Sequence, residues 1–189
     1  MPRYFNTEGL CNPALHYMVR LDDRIKKIKQ LFVDRGKYFV INRGRQYGKT
    51  TTLRALAEYL RDEYVVLSMD FQMMSMGNFA DESTFVVSFI EYLEDLLYGD
   101  EAITENIDKE AFERLVFLKE GQRILMDRLF RALSGVCRTA KKPIVLMIDE
   151  VDSASNHQVF LDFLAMLRGY YLSRDSRPIF HSVILAGVY

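Results

Sequence analysis

Four short apolar runs punctuate the chain, at Tyr38–Asn42, 64–70, Ile144–Asp149 and 179–186. Each is rich in β-branched or aromatic residues and is bounded by turn-forming or charged ones, which is how a strand reads. Their unbroken hydrophobicity predicts burial on both faces. Between them the apolar positions take up a helical period. Leu53, Leu56, Ala57 and Leu60 follow the first run, and Leu125, Leu129, Leu133 and Val136 precede the third. Phe160, Phe163, Leu164, Leu167 and Tyr171 precede the fourth at the i, i+3, i+4, i+7 spacing of one helix face. Strand alternating with helix predicts an α/β fold around a mostly parallel sheet.

About seventy residues separate the second and third runs, too many for one crossover helix. Phe85, Phe89, Leu93 and Leu96 mark one further helix there and 109–118 another, so a helical insert is predicted over about 73–140. Residues 21–32 read as a basic amphipathic helix inside an N-terminal segment 1–37 that leads to the first strand. No repeat, low-complexity tract or linker interrupts the pattern, and 1–189 reads as a single domain.

Charge refines this picture only locally. The net charge of -1 and a pI near 6.3 give no global basic field, so neither nucleic acid nor an anionic membrane is indicated as a partner. Residues 20–37 nevertheless carry seven basic and three acidic side chains, whereas 81–113 carry eleven acidic and one basic. The insert is therefore acidic, and both runs read more simply as solvated helix faces than as docking surfaces. Cys11 and Cys137 are far apart and form no C-x-x-C pair, which suggests neither a disulfide framework nor a zinc site. No uncharged stretch exceeds twelve residues, and the first residues lack the apolar core of a signal peptide. A soluble, cytoplasmic protein is expected.

The chemistry begins directly after the first strand, in Asn42-Arg43-Gly44-Arg45-Gln46-Tyr47-Gly48-Lys49-Thr50-Thr51. A glycine-bearing loop between a strand and its helix is where a phosphate-binding loop must sit, because successive N–H groups at a helix start attract anions without side-chain bulk. Gly48 permits close approach, Lys49 can place an ammonium between terminal phosphates, Thr50 can ligate Mg²⁺, and Thr51 can add a phosphate contact. Lys49 is expected to be exposed in this loop. The pattern departs from G-x-x-x-x-G-K-[ST] in one place: Arg43 stands where the first glycine belongs, with Gly44 one position later. Without a ligand, Gly48-Lys49-Thr50 would be only a helix start.

A hundred residues beyond Lys49 the third strand ends in Asp149-Glu150. Ligands of open α/β sheets bind at that edge. Asp149 can hold Mg²⁺, commonly through water, and Glu150 can polarise an attacking water. Taken alone, such a pair is more often a turn or helix cap.

On these residues the chain resembles the AAA-like ATPases of the additional-strand P-loop class, close to the regulatory ATPases described as STAND proteins. The carriers are His16-Tyr17-Met18-Val19-Arg20, the loop Arg45-Gln46-Tyr47-Gly48-Lys49-Thr50, and Ile148-Asp149-Glu150-Val151-Asp152, so the likeness spans nearly the whole chain. Bacterial members often lack the first loop glycine, which makes Arg43 look like a family trait. The resemblance implies a three-layer P-loop NTPase with a five-stranded sheet, followed by a helical lid and further domains. It also implies that His16 and Tyr17 line the adenine pocket, the alternative being that they simply anchor the N-terminal segment. On this likeness the chain is expected to stop before the lid, with a fourth strand at 179–186 parallel to and beside the phosphate-loop strand. The other edge of that strand would then be open, and the isolated chain is expected to self-associate and to turn over slowly. The tip Gly187-Val188-Tyr189 offers no obvious polar sensor.

Other side chains have two readings. Asp70 with Gln72 can sense nucleotide or Mg²⁺, or can cap a turn. Arg168, Arg174 and Arg177 can furnish an arginine finger, though surface solvation is the simpler role. Met69, Met73, Met74 and Met76 can form an adaptable contact surface or fill core gaps, the latter being the simpler. Three functions follow: an ATPase switch or motor that binds Mg-ATP and hydrolyses it, a nucleotide-binding regulatory module with little or no hydrolysis, and a small-molecule kinase. The last needs no water-activating Glu150.

Overall fold

A computed structural model describes residues 4–5, 14–17, 19–42, 44, 47–121 and 123–187. All four strands form, at Tyr38–Asn42 (β1), Val65–Asp70 (β2), Ile144–Asp149 (β3) and Ser182–Gly187 (β4). They make one all-parallel sheet in the order β1-β4-β3-β2. The most uniformly apolar strands, β3 and β4, take the centre and are buried at every position. β1, expected to be buried on both faces, is not: Val40 is 45% exposed. Among the described residues β1 has a strand partner on one side only. Its apolar residues beyond Tyr38 that do pack, Phe39 and Ile41, lie on the other face. Ile179 and Phe180, expected within the fourth strand, are buried but lead into it as irregular backbone. The neighbouring strands explain this, since β1 starts at Tyr38 opposite Val183 and the β3 ladder is met at Ser182 opposite Val145. His181 still donates its N–H to the Ile144 carbonyl at 2.8 Å, but among the described residues Ile179 and Phe180 have no register partner in either neighbouring strand.

Helices cover both faces. Asp22–Ile28 (α1), continued by a π turn Lys29–Val33, and Lys49–Leu60 (α2) pack on one. There Leu53, Leu56 and Leu60 meet Val66, Val145, Met147, Ile184 and Ala186. Glu82–Gly99 (α3), Glu101–Thr104 (α4), Lys109–Phe117 (α5), Met126–Thr139 (α6) and Gln158–Leu172 (α7) share the core on the other face. Its centre is a set of aromatic contacts, Phe71 to Phe160 at 5.3 Å, Phe85 to Phe163 at 5.3 Å and Phe89 to Phe163 at 5.0 Å. The residues meeting that core, Val65, Leu67, Met69, Ile144, Leu146, Ile148, Val183 and Leu185, alternate with the α2-facing set, as the period-2 pleat requires.

Part of the acidic run between β2 and β3 is architectural. Asp81, Asp100 and Asp108 each accept a backbone N–H at the start of α3, α4 and α5, satisfying donors that a helix leaves open at its beginning. The parallel sheet has a second consequence: every strand ends at the same edge. Asn42 stands level with Gly187, and Asp70 with Asp149.

Candidate functional site

The turn from β1 into α2 is closed by Gly48, whose backbone is left-handed at φ 71°, ψ 31°. That conformation favours glycine. Among the described residues no atom lies within 4 Å of where a Gly48 Cβ would project, so on their side the backbone is open to approach. The first helical turn is fixed from within, because both the N–H and the hydroxyl of Thr52 donate to the Gly48 carbonyl, at 2.9 and 2.7 Å. The N–H groups of Lys49, Thr50 and Thr51 then stand at the helix start, where no preceding turn can accept them.

Lys49, expected to be exposed, is 5% exposed. As the first residue of α2 it tucks toward the strand ends rather than out with the loop. Asp149 is 4% exposed and lies on the α2-facing side of β3, after Val145 and Met147. That facing brings it to Thr50, 99 residues away in sequence, whose hydroxyl donates to Asp149 Oδ2 at 2.7 Å. The other carboxylate oxygen accepts the Glu150 N–H at 2.9 Å. Asp70, the register partner of Asp149, falls on the same face of the sheet. It caps the turn Phe71–Met73 by accepting the Gln72 N–H at 2.9 Å.

Glu150 is, among the described residues, the one non-glycine with positive φ, at φ 54°, ψ 40°. Such a conformation costs about 1–2 kcal/mol, and strain of this kind concentrates at functional positions. The turn that imposes it, Val151–Ala154, is held by the Glu150 carbonyl, which accepts both the N–H and the hydroxyl of Ser153, at 3.0 and 2.7 Å. Burial pushes the Glu150 carboxyl above the usual carboxylate range, the charges of Asp149, Asp152 and Asp70 push it further, and Lys49 opposes them. A carboxylate shifted this way is a stronger proton acceptor. Lys49, Asp70, Asp149 and Asp152 thus all act on Glu150 at the C-terminal edge of the sheet.

A scan against protein-family models matches the AAA-like domain over residues 13–189. The chain belongs to the AAA-like domain family. No curated protein matches it. An AAA-like domain points to a nucleotide-binding module of ATPase type. No helix among the described residues of this AAA-like domain is long and apolar enough to cross a membrane.

Of the residues singled out in sequence, the fold brings Gly48, Lys49, Thr50, Thr51, Asp149 and Glu150 to one place. Gly44 and Tyr47 lie just before α2, with the Tyr47 ring 3.2 Å from where a Gly44 Cβ would stand. Tyr47 itself is 71% exposed. Arg43, Arg45, Gln46, Val188 and Tyr189 lie outside the described residues. His16 and Tyr17 sit elsewhere. His16 is buried, edge-on to Tyr4 at 4.8 Å, and lines a cavity of about 540 Å³ with Leu21, Ile25, Ala55 and Tyr59. Tyr17 is exposed and packs on Phe5 at 5.1 Å. Two of the arginines considered as fingers lie over rings of their own chain, Arg168 on Tyr38 at 5.4 Å and Arg174 on Tyr171 at 4.1 Å. Met69 is in the core, whereas Met73 and Met76 are largely exposed.

Two contributors were not assigned a role from sequence. Asp152 acts on Glu150 through its charge, and its acidity in Asp149-Glu150-Val151-Asp152 was the available signal. Gly187 packs so closely that an added Cβ would stand 2.8 Å from both Val151 Cγ2 and Asp152 Oδ1. Gly187→Ala is therefore expected to cost about 1–3 kcal/mol of stability as overpacking, since β-branched Val151 is stiff and buried. It should also displace the turn that carries Glu150. Thermal melts with a parallel turnover assay check this, and an unchanged melting temperature with unchanged turnover would show the contact to be slack.

Proposed function

We propose that this AAA-like domain binds Mg-ATP and hydrolyses it to ADP and phosphate, as a switch or motor module on a three-layer, additional-strand P-loop framework. One observation carries the reading: the Thr50 hydroxyl and the Asp149 carboxylate are joined at 2.7 Å at the start of a helix. These two hard oxygen donors fit Mg²⁺, which retains waters and takes its remaining ligands from phosphates. The open backbone at Gly48 fits a phosphate in the same way, since any side chain there would fill the cradle.

In this reading Thr50 and Asp149 hold Mg²⁺, which when bound offsets negative charge on the phosphates. Lys49 pairs with the terminal phosphates and stabilises the charge that develops on them. Glu150 orients a water in line with the terminal phosphorus and accepts its proton. Asp149 keeps Glu150 in place through the accepted N–H. In the same reading the adenine lies toward His16, supported by Ala55, which lines the cavity beside His16 and is six residues from Lys49, about 9 Å along α2.

The alternative reading is a nucleotide-binding regulatory module with little or no hydrolysis. Phosphate release from enzyme-bound nucleotide in a single turnover separates the two readings. The ATPase reading expects a full equivalent released; the regulatory reading expects retained triphosphate.

A further inference from the structure

A groove of about 510 Å³ runs between α5 and α6, and four arginines converge on it: Arg114 from α5 and Arg128, Arg131 and Arg138 from α6. The α6 positions recur every three to seven residues and so form one stripe, about 15 Å long from Arg128 to Arg138. Between them lie Ala132 and Gly135, small residues that leave the floor open to a side chain from outside. Arg131 bonds Asp127 at 3.0 Å. Arg114, Arg128 and Arg138 are exposed and have no carboxylate bonded to them among the described residues. Guanidinium groups grouped in a concavity match planar carboxylates with two parallel hydrogen bonds each.

The occupant must be anionic, and the surroundings narrow it. The acidic run reaches the groove on α5, which carries Glu110 and Glu113 and borders the groove with Arg114, and these carboxylates would repel a long phosphate backbone passing over them. A compact acidic protein face is favoured, and this chain carries one. Glu91, Asp95 and Tyr98 follow the i, i+4, i+7 spacing along the outer side of α3, all three exposed, with Tyr98 at 76%. Glu91 and Asp95 have no bonded cation among the described residues. Within one chain the Glu91-Asp95-Tyr98 face and the groove are separated by α5, which touches α3 through Tyr98 and Phe112 at 6.4 Å and borders the groove with Arg114.

We infer that the arginine groove between α5 and α6 receives the Glu91-Asp95-Tyr98 face of α3 from a second copy of this chain. Two different patches meet, so the contact is head-to-tail and can repeat from copy to copy. Carboxylates pair with the arginines, and the Tyr98 ring lies over the small-residue floor where a guanidinium can stack on it. The net charge of -1 conceals this complementarity because the opposite charges are segregated rather than absent. The inference does not depend on nucleotide binding.

Sedimentation velocity over a concentration series, without nucleotide, tests it. At low salt the weight-average mass is expected to rise with concentration above the 22.1 kDa of one chain, and at high salt to return to it, because exposed charge pairs are screened. Arg128→Glu with Arg138→Glu should abolish the rise, as should Glu91→Lys with Asp95→Lys. Mixing the two charge-reversed proteins should restore association, since each then presents what the other lacks, and this arm also shows that neither variant has merely unfolded. A monomer at every concentration would overturn the inference. So would association that ignores salt and both reversals, which would place the contact elsewhere on the chain. Binding of a single-stranded oligonucleotide that the arginine reversals abolish would identify nucleic acid as the occupant and overturn it as well.

Discussion

Lys49→Ala is expected to weaken Mg-triphosphate binding by about 3 kcal/mol, roughly 10²-fold in Kd, the range for removing one partner of a buried charge contact. The lysine is 5% exposed and lies within the field of Glu150 and its acidic neighbours. In the proposed site it is the side chain that brings positive charge to the terminal phosphates. Its burial changes what the variant tests. An exposed loop lysine would leave the fold untouched, whereas alanine here also removes the positive charge that opposes Asp149, Asp152 and Asp70 at Glu150. A small loss of stability is therefore expected together with the loss of affinity. Isothermal titration with a thermal melt of the same sample separates them. Unchanged affinity in a folded variant would remove Lys49 from the site.

Glu150→Gln is expected to behave in the opposite way, keeping nucleotide affinity while slowing hydrolysis by ~10²-fold or more, the usual loss with a general base. The amide preserves shape and the left-handed turn into Val151–Ala154 but cannot accept a proton. It also removes one of several crowded negative charges, so binding should be unchanged or slightly tighter. Rapid-quench measurement of phosphate formation is the readout. Turnover equal to that of the parent protein would reduce Glu150 to a strained turn residue.

Much of this was legible in sequence where the physics is local. β3 and β4 are recognisable because a strand buried on both faces needs unbroken apolar residues, and Ile144–Asp149 and the run before Gly187 provide them. Gly48 is recognisable because the left-handed turn that starts α2 favours glycine. Exposure was legible less well. Val40 reads as apolar, but its burial depends on what lies beside β1, which is a property of the sheet and not of the strand. Lys49 erred in the other direction, since a charged residue is solvated by default and only the strand ends around it reverse that. The left-handed backbone of Glu150 has no sequence signal, because glutamate has no preference for it and the turn at Val151–Ala154 dictates it. The π turn at Lys29–Val33 is similarly set by tertiary ties, with Lys29 held by Asp34 at 2.8 Å and Glu63 at 2.9 Å.

The central claim is that the helix start at Gly48 to Thr51 and the end of β3 together form a Mg²⁺-dependent triphosphate site. Calorimetric titration of the 189-residue chain with a non-hydrolysable ATP analogue, with Mg²⁺ and again with the metal chelated, tests it most directly. The account predicts saturable binding at one site per chain with Mg²⁺, weakened severalfold or more on chelation and weakened likewise in Asp149→Asn. Absence of binding in both conditions, or binding indifferent to Mg²⁺ and to Asp149, would contradict it.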